Sequence, residues 1–304
     1  MNAVSPINNE LPTLLNGRYQ LEQLLGVGGM STVYRARDLV RDGFTDPEPF
    51  VAIKILSEEI SEYADANALL YCEYALTLRL HHPHVIRLHS FEIDSQSQRG
   101  FITMELMRGI PLDRLLCERP QGLPWEELRE IAIAALEALS YSHSQGVLHG
   151  DIKPSNLMLT DTGVRLYDFG LGQPLEGMLS GLPRLQRSRF TAWTPLYAAP
   201  ELLAGDAAST STDVYAICCV LFELSSGRHP FPKQSDQKVN AHTGLRPSNL
   251  PKTLADALRR GVRTDPSSRI SLPELLGVVR KTSQPLQRRQ WMAALRWLSR
   301  SSTV

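Results

Sequence analysis

The sequence predicts an α+β protein with a smaller, strand-rich N-terminal part and a larger, mostly helical C-terminal part. Three patterns support this division. Residues 19–34 have the pattern of a strand, a glycine turn and a second strand, and residues 50–56 alternate as a further strand. Residues 124–143 carry apolar side chains at helical spacing and begin with a proline that favours a helix start. Residues 156–167 contain two short apolar runs around an Asp-Thr-Gly turn, which predicts a β-hairpin.

Composition is that of an ordinary globular protein. The chain has 304 residues, 42% of them hydrophobic, so it can form a sizeable core. It carries 32 basic and 32 acidic side chains, and this balance gives no reason to expect a nucleic-acid partner or an anionic membrane. The four cysteines lack metal-ligand spacing, and residues 1–17 lack the pattern of a signal peptide. No apolar run reaches the roughly 18 residues of a transmembrane helix, so we expect a cytoplasmic protein.

The glycine turn of the N-terminal part contains Gly26, Gly28 and Gly29. Glycine allows backbone N–H groups to approach phosphate oxygens closely because no Cβ intervenes. A dinucleotide fingerprint would need a helix after the glycines, whereas a strand follows here. Alone, such a turn is more often a simple hairpin than a nucleotide site.

Lys54 lies in the middle of the apolar strand of residues 50–56. Burying an amine is costly unless an anion accompanies it, so Lys54 should have an acidic partner. The following predicted helix, Ser61 to Leu80, offers Glu62 and Glu73. A carboxylate near a helix start, such as Glu62, is already explained by the helix dipole.

The most informative stretch is His149-Gly150-Asp151-Ile152-Lys153-Pro154-Ser155-Asn156 with the later Asp168-Phe169-Gly170. The predicted hairpin returns Asp168 towards Asp151, Lys153 and Asn156. Carboxylate and amide oxygens suit Mg²⁺, which proteins usually hold with one or two carboxylates and substrate phosphates. A further aspartate can accept the proton of an attacking hydroxyl, and a lysine can neutralise charge on a phosphoryl group. One such residue alone would more often be merely solvated.

These motifs, HGDIKPSNLML and LYDFG, resemble the catalytic loop and metal-binding motif of eukaryotic-like (Hanks-type) serine/threonine protein kinases, most closely the bacterial members. The resemblance runs from about Tyr19 to about Leu276. It implies the bilobal protein kinase fold in residues 18–281, with an N-lobe at about 18–105 and a C-lobe at about 110–281. Residues 1–17 would then be an N-terminal extension, and residues 282–304 a basic amphipathic C-terminal tail.

The resemblance also implies roles for individual residues in an ATP-dependent serine/threonine kinase that phosphorylates proteins and itself in bacterial signalling. Asp151 would be the catalytic base and Lys153 would stabilise the phosphoryl group. Asn156 and Asp168 would hold Mg²⁺ or Mn²⁺. The residues implied to bind ATP are Gly26, Gly28, Gly29, Val33, Ala52, Lys54, Glu73, Glu105 and Met107. Glu73 is preferred over Glu62 because it lies ten residues before Pro83 in a stretch similar to the family's. Met104 would gate the adenine pocket, although it could equally be a core residue alone.

Three positions depart from the family pattern: Gly150 stands where arginine is usual, and Trp193 and Cys218 stand where glycine is usual. An arginine at position 150 would offer a bidentate site for a phosphate on the activation segment, which glycine cannot do. We therefore expect activity to depend little on phosphorylation of that segment, although Ser188, Thr191 and Thr194 remain candidate phosphorylation sites.

The segment Thr194 to Glu201 resembles the family's substrate-binding platform, in which Thr194 would contact Asp151. Arg269 would form a structural ion pair with Glu201. Three alternatives remain: an ATP-binding pseudokinase scaffold, a kinase-like small-molecule phosphotransferase and a pure interaction module. The first would be expected to have lost Lys54, Asp151 or Asp168, and the second usually lacks the platform.

Three further segments are less informative. Residues 38–49 predict an exposed loop longer than usual in the family. The histidines of residues 81–84 lack acidic or cysteine companions, so a structural role is favoured over metal binding. The tail carries Trp291 and Leu295 at helical spacing among arginines; docking on its own domain is favoured over a partner or a membrane surface.

Overall fold

The computed structural model describes residues 13–28, 31–61, 63, 65–170, 172–174, 194–231 and 250–282. The chain divides into two compact units. The first contains the residues up to Tyr74 together with Leu88–Leu106, and the second contains Ala75–Arg87 and the residues from Met107 onward. The prediction of an α+β protein with a strand-rich first part and a mostly helical second part is confirmed.

The first unit is built on a six-stranded antiparallel sheet in the order β1-β2-β3-β4-β6-β5. The strands are β1 (Leu14–Leu15), β2 (Tyr19–Val27), β3 (Ser31–Asp38), β4 (Phe50–Leu56), β5 (Leu88–Ile93) and β6 (Gly100–Met104). Its apolar core contains Leu15, Ile53 and Phe101, all at most 1% exposed. Because β1 pairs with β2 and buries Leu15, the sheet begins within the stretch taken from the sequence as an extension.

Three helices accompany this sheet: α1 (Leu39–Gly43), α2 (Glu58–Ser61) and α3 (Ala66–Thr77). The sequence predicted an exposed loop at residues 38–49, whereas the structure contains α1 there. Asp38 is the cause, since its carboxylate accepts a hydrogen bond from the Val40 N–H at 3.1 Å and caps the helix. An ion pair of 2.8 Å between Arg41 and Asp46 then closes the segment.

The second unit is organised around two long buried helices. Within the described residues its helices are α4 (Leu112–Glu118), α5 (Trp125–Ser144), α6 (Pro200–Leu203), α7 (Thr210–Ser226), α8 (Lys252–Gly261) and α9 (Leu272–Lys281). Helix α5 confirms the periodic helix predicted at residues 124–143. Helix α7 begins with a capping box between Ser209 and Thr212 and ends at Gly227, whose φ of 69° suits glycine.

The second unit also contains short strands, which flank its loops. They are β7 (Gly109–Pro111), β8 (Val147–Leu148), β9 (Leu157–Thr160), β10 (Gly163–Leu166) and β11 (Gln173–Pro174). Strands β9 and β10 form the predicted antiparallel hairpin, with Leu159 opposite Val164. Strand β7 extends this hairpin, and β8 pairs with β11.

Cys218 lies inside α7 and is fully buried. A Cβ placed on Gly261 of α8 would come within 2.1 Å of the Cys218 Sγ atom. The thiol therefore occupies the space that a side chain at position 261 would need, so the bulkier residue on one helix is matched by a glycine on the other.

No helix in the described ranges is long and apolar enough to cross a membrane.

Candidate active site

In the first unit, Lys54 forms a buried ion pair with Glu73. The lysine is 6% exposed, and its Nζ lies 2.6 and 2.7 Å from the two carboxylate oxygens. Strand β4 supplies the amine and α3 the carboxylate. The partner required by the burial of Lys54 is thus Glu73, whereas Glu62 lies outside the described residues.

The other residues of the first unit that are predicted to bind ATP lie on β3 and β4 or directly after β6. Val33 on β3 pairs with Gly26 on one side and with Lys54 on the other. Ala52 precedes Lys54 by two residues, so the two project from the same face of β4. Glu105 follows β6 directly and is half-buried.

The glycine turn joins β2 to β3. The Gly28 N–H donates to the Ser31 carbonyl at 2.7 Å and closes the turn. A Cβ on Gly26 would meet no heavy atom within 4 Å, so the space beside this backbone is open. Such an open backbone fits the expected approach of a phosphate. Gly29, the third predicted glycine, lies outside the described residues.

In the second unit, the structure brings Asp151, Lys153, Asn156 and Thr194 together. Lys153 Nζ donates to Asp151 Oδ2 at 2.6 Å and to Thr194 Oγ1 at 2.9 Å. The Thr194 N–H points to Asp151 Oδ1 at 3.5 Å. The Asn156 amide nitrogen donates to the Asp151 carbonyl at 2.8 Å. A carboxylate, an amine and a hydroxyl therefore meet in a single cluster. Met107, the remaining nucleotide candidate, is half-buried in this unit.

The backbone of this loop is anchored by Asp213 of α7, which is only 2% exposed. Its two carboxylate oxygens accept the N–H groups of His149 and Gly150 at 2.9 and 3.0 Å. A third hydrogen bond, of 2.8 Å, comes from His143 Nε2. Burial alone would raise the pKa of Asp213, but the hydrogen bond and charge of His143 hold it below its ordinary value.

His149 is fully buried, and both of its ring nitrogens are used. Nε2 lies 3.1 Å from the Tyr167 carbonyl, which can only accept, so Nε2 carries the proton. Nδ1 then accepts the Asp151 N–H at 3.2 Å. Because burial lowers the pKa of His149, the ring stays neutral and keeps this tautomer.

The segment after β10 brings Asp168 next to the loop. The Tyr167 N–H donates to the Asn156 carbonyl at 3.1 Å. Asp168 has a φ of 64°, in the left-handed region that a non-glycine residue rarely adopts. The Phe169 ring packs on His149 with ring centroids 4.5 Å apart.

Asn156 and Asp168 fit a hard divalent cation by their chemistry. The Asn156 NH₂ group is held by the Asp151 carbonyl, so the amide oxygen faces away from that bond. One amide oxygen and one carboxylate are suitable for a cation that also binds phosphate and water. No group of three or more His, Cys, Asp or Glu side chains arranged to hold a metal ion occurs among the described residues.

His82 stacks on Tyr141 and His84 Nδ1 contacts the Val164 carbonyl at 2.9 Å, so both have structural contacts.

A small pocket of about 10 Å³ lies beside Asp151 and Thr194. Gly150 forms part of its lining and contributes no side chain to it. The remaining lining residues are Ile152, Tyr197, Ala198, Leu202, Thr212, Asp213 and Ala216. The Tyr197 hydroxyl donates to Glu223, and this bond orients one wall of the pocket.

Sequence reasoning did not identify the roles of Asp213 and Tyr167 in shaping this site. An aspartate beside the apolar run of α7 was a usable signal, because a buried carboxylate requires donors. Nothing local in the sequence pointed to Tyr167. Trp193, Ser188, Thr191 and the tail from residue 283 lie outside the described residues.

Comparison with known proteins gives consistent matches. The protein kinase domain family matches residues 19–278. The DNA damage-responsive serine/threonine-protein kinase RqkA of Deinococcus radiodurans is 36% identical over 247 residues, covering 81% of this chain and 35% of that protein. The serine/threonine-protein kinase PkaA of Streptomyces coelicolor is 33% identical, with 86% of this chain and 49% of the relative covered. For PknE of Mycobacterium bovis the identity is 33%, and the shares are 83% and 44%. The chain thus spans less than half the length of each of these relatives.

Proposed function

Because the chain belongs to the protein kinase family, we propose that it transfers the γ-phosphoryl group of ATP to serine or threonine hydroxyls of proteins, its own included. The observation that carries this proposal is the position of Lys153, whose amine bridges the Asp151 carboxylate and the Thr194 hydroxyl. An inactive scaffold would have no need to keep these three groups in hydrogen-bond contact.

In this proposal Asp151 accepts the proton of the acceptor hydroxyl, which makes the oxygen a better nucleophile. Lys153 neutralises part of the charge that develops on the transferred phosphoryl group. Thr194 holds the platform on which the acceptor lies.

The proposed ATP contacts of the first unit come from the glycine turn and from Lys54. Lys54, held by Glu73, would bind the α and β phosphates, and the glycine turn, whose backbone is open at Gly26, would cover them. Val33, Ala52, Glu105 and Met107 would contact the adenosine. In the second unit, Asn156 and Asp168 would hold Mg²⁺ or Mn²⁺, which when bound neutralises phosphate charge.

The proposed setting is bacterial signalling in the cytoplasm. The three relatives described above are bacterial serine/threonine kinases. The cysteines Cys72, Cys117, Cys218 and Cys219 are all free thiols, as a reducing compartment allows. The partners in this setting are protein substrates.

The test is incorporation of labelled phosphate from ATP, with Mg²⁺ or Mn²⁺, into the chain itself and into a generic basic acceptor protein. We expect wild type to phosphorylate serine or threonine and Lys54→Ala and Asp168→Ala to lose at least about 100-fold of that activity. Lys252→Ala and Asp206→Ala make the same chemical changes at exposed positions and should retain it. Tight ATP binding without transfer to any acceptor would refute the proposal and favour a pseudokinase.

A further inference from the structure

Tyr167 immediately precedes the proposed metal ligand Asp168, and three hydrogen bonds connect it to the catalytic loop. Its N–H donates to the Asn156 carbonyl at 3.1 Å, and its carbonyl accepts from His149 Nε2 at 3.1 Å. The third bond comes from the side chain, whose hydroxyl donates to the Ser155 carbonyl. The first two bonds involve only main-chain atoms of residue 167, so any residue there could form them. The third requires a tyrosine or a similar donor.

The two bonds that Tyr167 donates are accepted by consecutive residues of the loop. Tyr167 therefore holds the backbone at Ser155 and at Asn156, and Asn156 is the second proposed metal ligand. Asn156 itself is 3% exposed and is held from its other side by the Asp151 carbonyl.

The backbone conformation of Asp168 explains why these hydrogen bonds matter. A φ of 64° lies in the left-handed region, which is unfavourable for an L-residue, and such a conformation persists only where the surroundings over-determine it. Tyr167, the residue directly before Asp168, contributes to that restraint through its hydrogen bonds to the loop.

We infer that the Tyr167 hydroxyl is a positioning group that sets Asp168 and Asn156 at the separation a divalent cation requires. This inference rests on the proposed function, because it assumes that these two residues hold the metal. It adds a residue that acts through its hydrogen bonds to the loop.

The inference predicts a specific pattern for Tyr167→Phe, which removes only the hydroxyl. Loss of one hydrogen bond changes an equilibrium by about 2- to 10-fold. We expect the dissociation constant of Mn²⁺, measured by electron paramagnetic resonance with a non-hydrolysable ATP analogue present, to rise by about 5- to 10-fold. The affinity for the same analogue without metal should change by less than about twofold. In turnover, the apparent KM for Mg²⁺ should rise while kcat at saturating Mg²⁺ stays within about twofold.

The matched control is Tyr141→Phe in the same unit. The Tyr141 hydroxyl accepts the His81 N–H at 3.2 Å and contacts none of the proposed metal ligands. Its removal should leave Mn²⁺ binding unchanged. Incorporation of 4-aminophenylalanine at position 167 restores an N–H donor at the same place, and it should return the Mn²⁺ affinity to within about twofold of wild type.

These measurements separate failure of the inference from failure of the proposed function. If Asp168→Ala abolishes Mn²⁺ binding but Tyr167→Phe leaves it unchanged, the positioning role is wrong and the metal site stands. The same conclusion follows if Tyr141→Phe weakens binding equally or if 4-aminophenylalanine fails to restore it. If Asp168→Ala leaves Mn²⁺ binding unchanged, the proposed metal site is wrong, and the role of Tyr167 with it. Should Tyr167→Phe prove unstable, comparison of the 4-aminophenylalanine protein with a 4-methylphenylalanine protein tests the donor with a group of similar size.

Discussion

Replacement of Glu201 by glutamine is expected to destabilise the second unit strongly. Glu201 lies in α6, and its carboxylate forms two hydrogen bonds of 2.6 and 2.7 Å with the guanidinium of Arg269. The Arg269 side chain is 1% exposed and that of Glu201 is 11% exposed. Glutamine keeps the shape of glutamate but leaves a buried guanidinium without its counter-charge. Removing one partner of a buried pair costs about 3–5 kcal/mol.

We expect the lower end of that range, because the glutamine oxygen still accepts one bond and Arg269 also donates to the Arg263 carbonyl at 2.7 Å. A loss of about 3 kcal/mol in a unit of this size corresponds to a fall of roughly 6–12 °C in the unfolding midpoint. Differential scanning calorimetry at pH 7 would measure it.

Glu274→Gln is the matched control for this substitution. Glu274 also forms two hydrogen bonds with an arginine, Arg260, at 2.6 and 3.2 Å. Here both side chains are exposed, at 48% and 43%, so the expected change is within about 2 °C of wild type. If Glu201→Gln lowers the midpoint no more than Glu274→Gln, burial does not make the Glu201–Arg269 pair important and the reasoning is wrong.

Two further predictions concern pH and phosphorylation. Burial lowers the pKa of His229 to about 4, so between about pH 6.5 and pH 4 the unfolded chain binds the proton more readily and stability falls as the pH falls. In thermal unfolding, His229→Gln should therefore lose less stability than wild type between pH 7.5 and pH 5, and an equal loss would contradict this assignment. Gly150 offers no guanidinium to a phosphate on the activation segment, so phosphatase treatment should change turnover in a peptide kinase assay by less than about threefold, whereas a tenfold loss would refute this independence.

The parts of the fold that the sequence predicted well are those with strong local patterns. Helix α5 has continuous apolar periodicity, and the β9–β10 hairpin has two apolar runs around a glycine turn. Strand β1 was missed because two residues show no periodicity, and α1 was missed because its start depends on the single cap at Asp38. Local patterns therefore predicted the elements that have clear periodicity or a turn signal, and missed those that lack both.

For the candidate site, the spacing of the motifs predicted the residues that carry the chemistry, but not the distant residues that hold them in position. A buried lysine requires a carboxylate, and Glu73 occupies that place. These positions are held by contacts over long sequence separations. The hydrogen bonds from His149 and Gly150 to Asp213, for example, span 64 and 63 residues. No local pattern encodes such a contact, because it forms only when two distant elements pack. The catalytic and binding roles of the site residues remain predictions that the experiments above address.

Asp213 provides a structural reason to expect that activity depends little on phosphorylation of the activation segment. An arginine at position 150 would allow a phosphorylated segment to restrain the loop from outside. Here the N–H groups of His149 and Gly150 already donate to the two oxygens of the Asp213 carboxylate, which is held in place by His143. Gly150 has a φ of 79°, a conformation in which glycine carries little strain. The loop conformation is therefore set from the core of the second unit, through α7, and Asp151 follows directly from it. A restraint that is built into a buried helix acts in every molecule, whereas one supplied by phosphate acts only after modification, so we expect the unphosphorylated chain to have its catalytic loop in place.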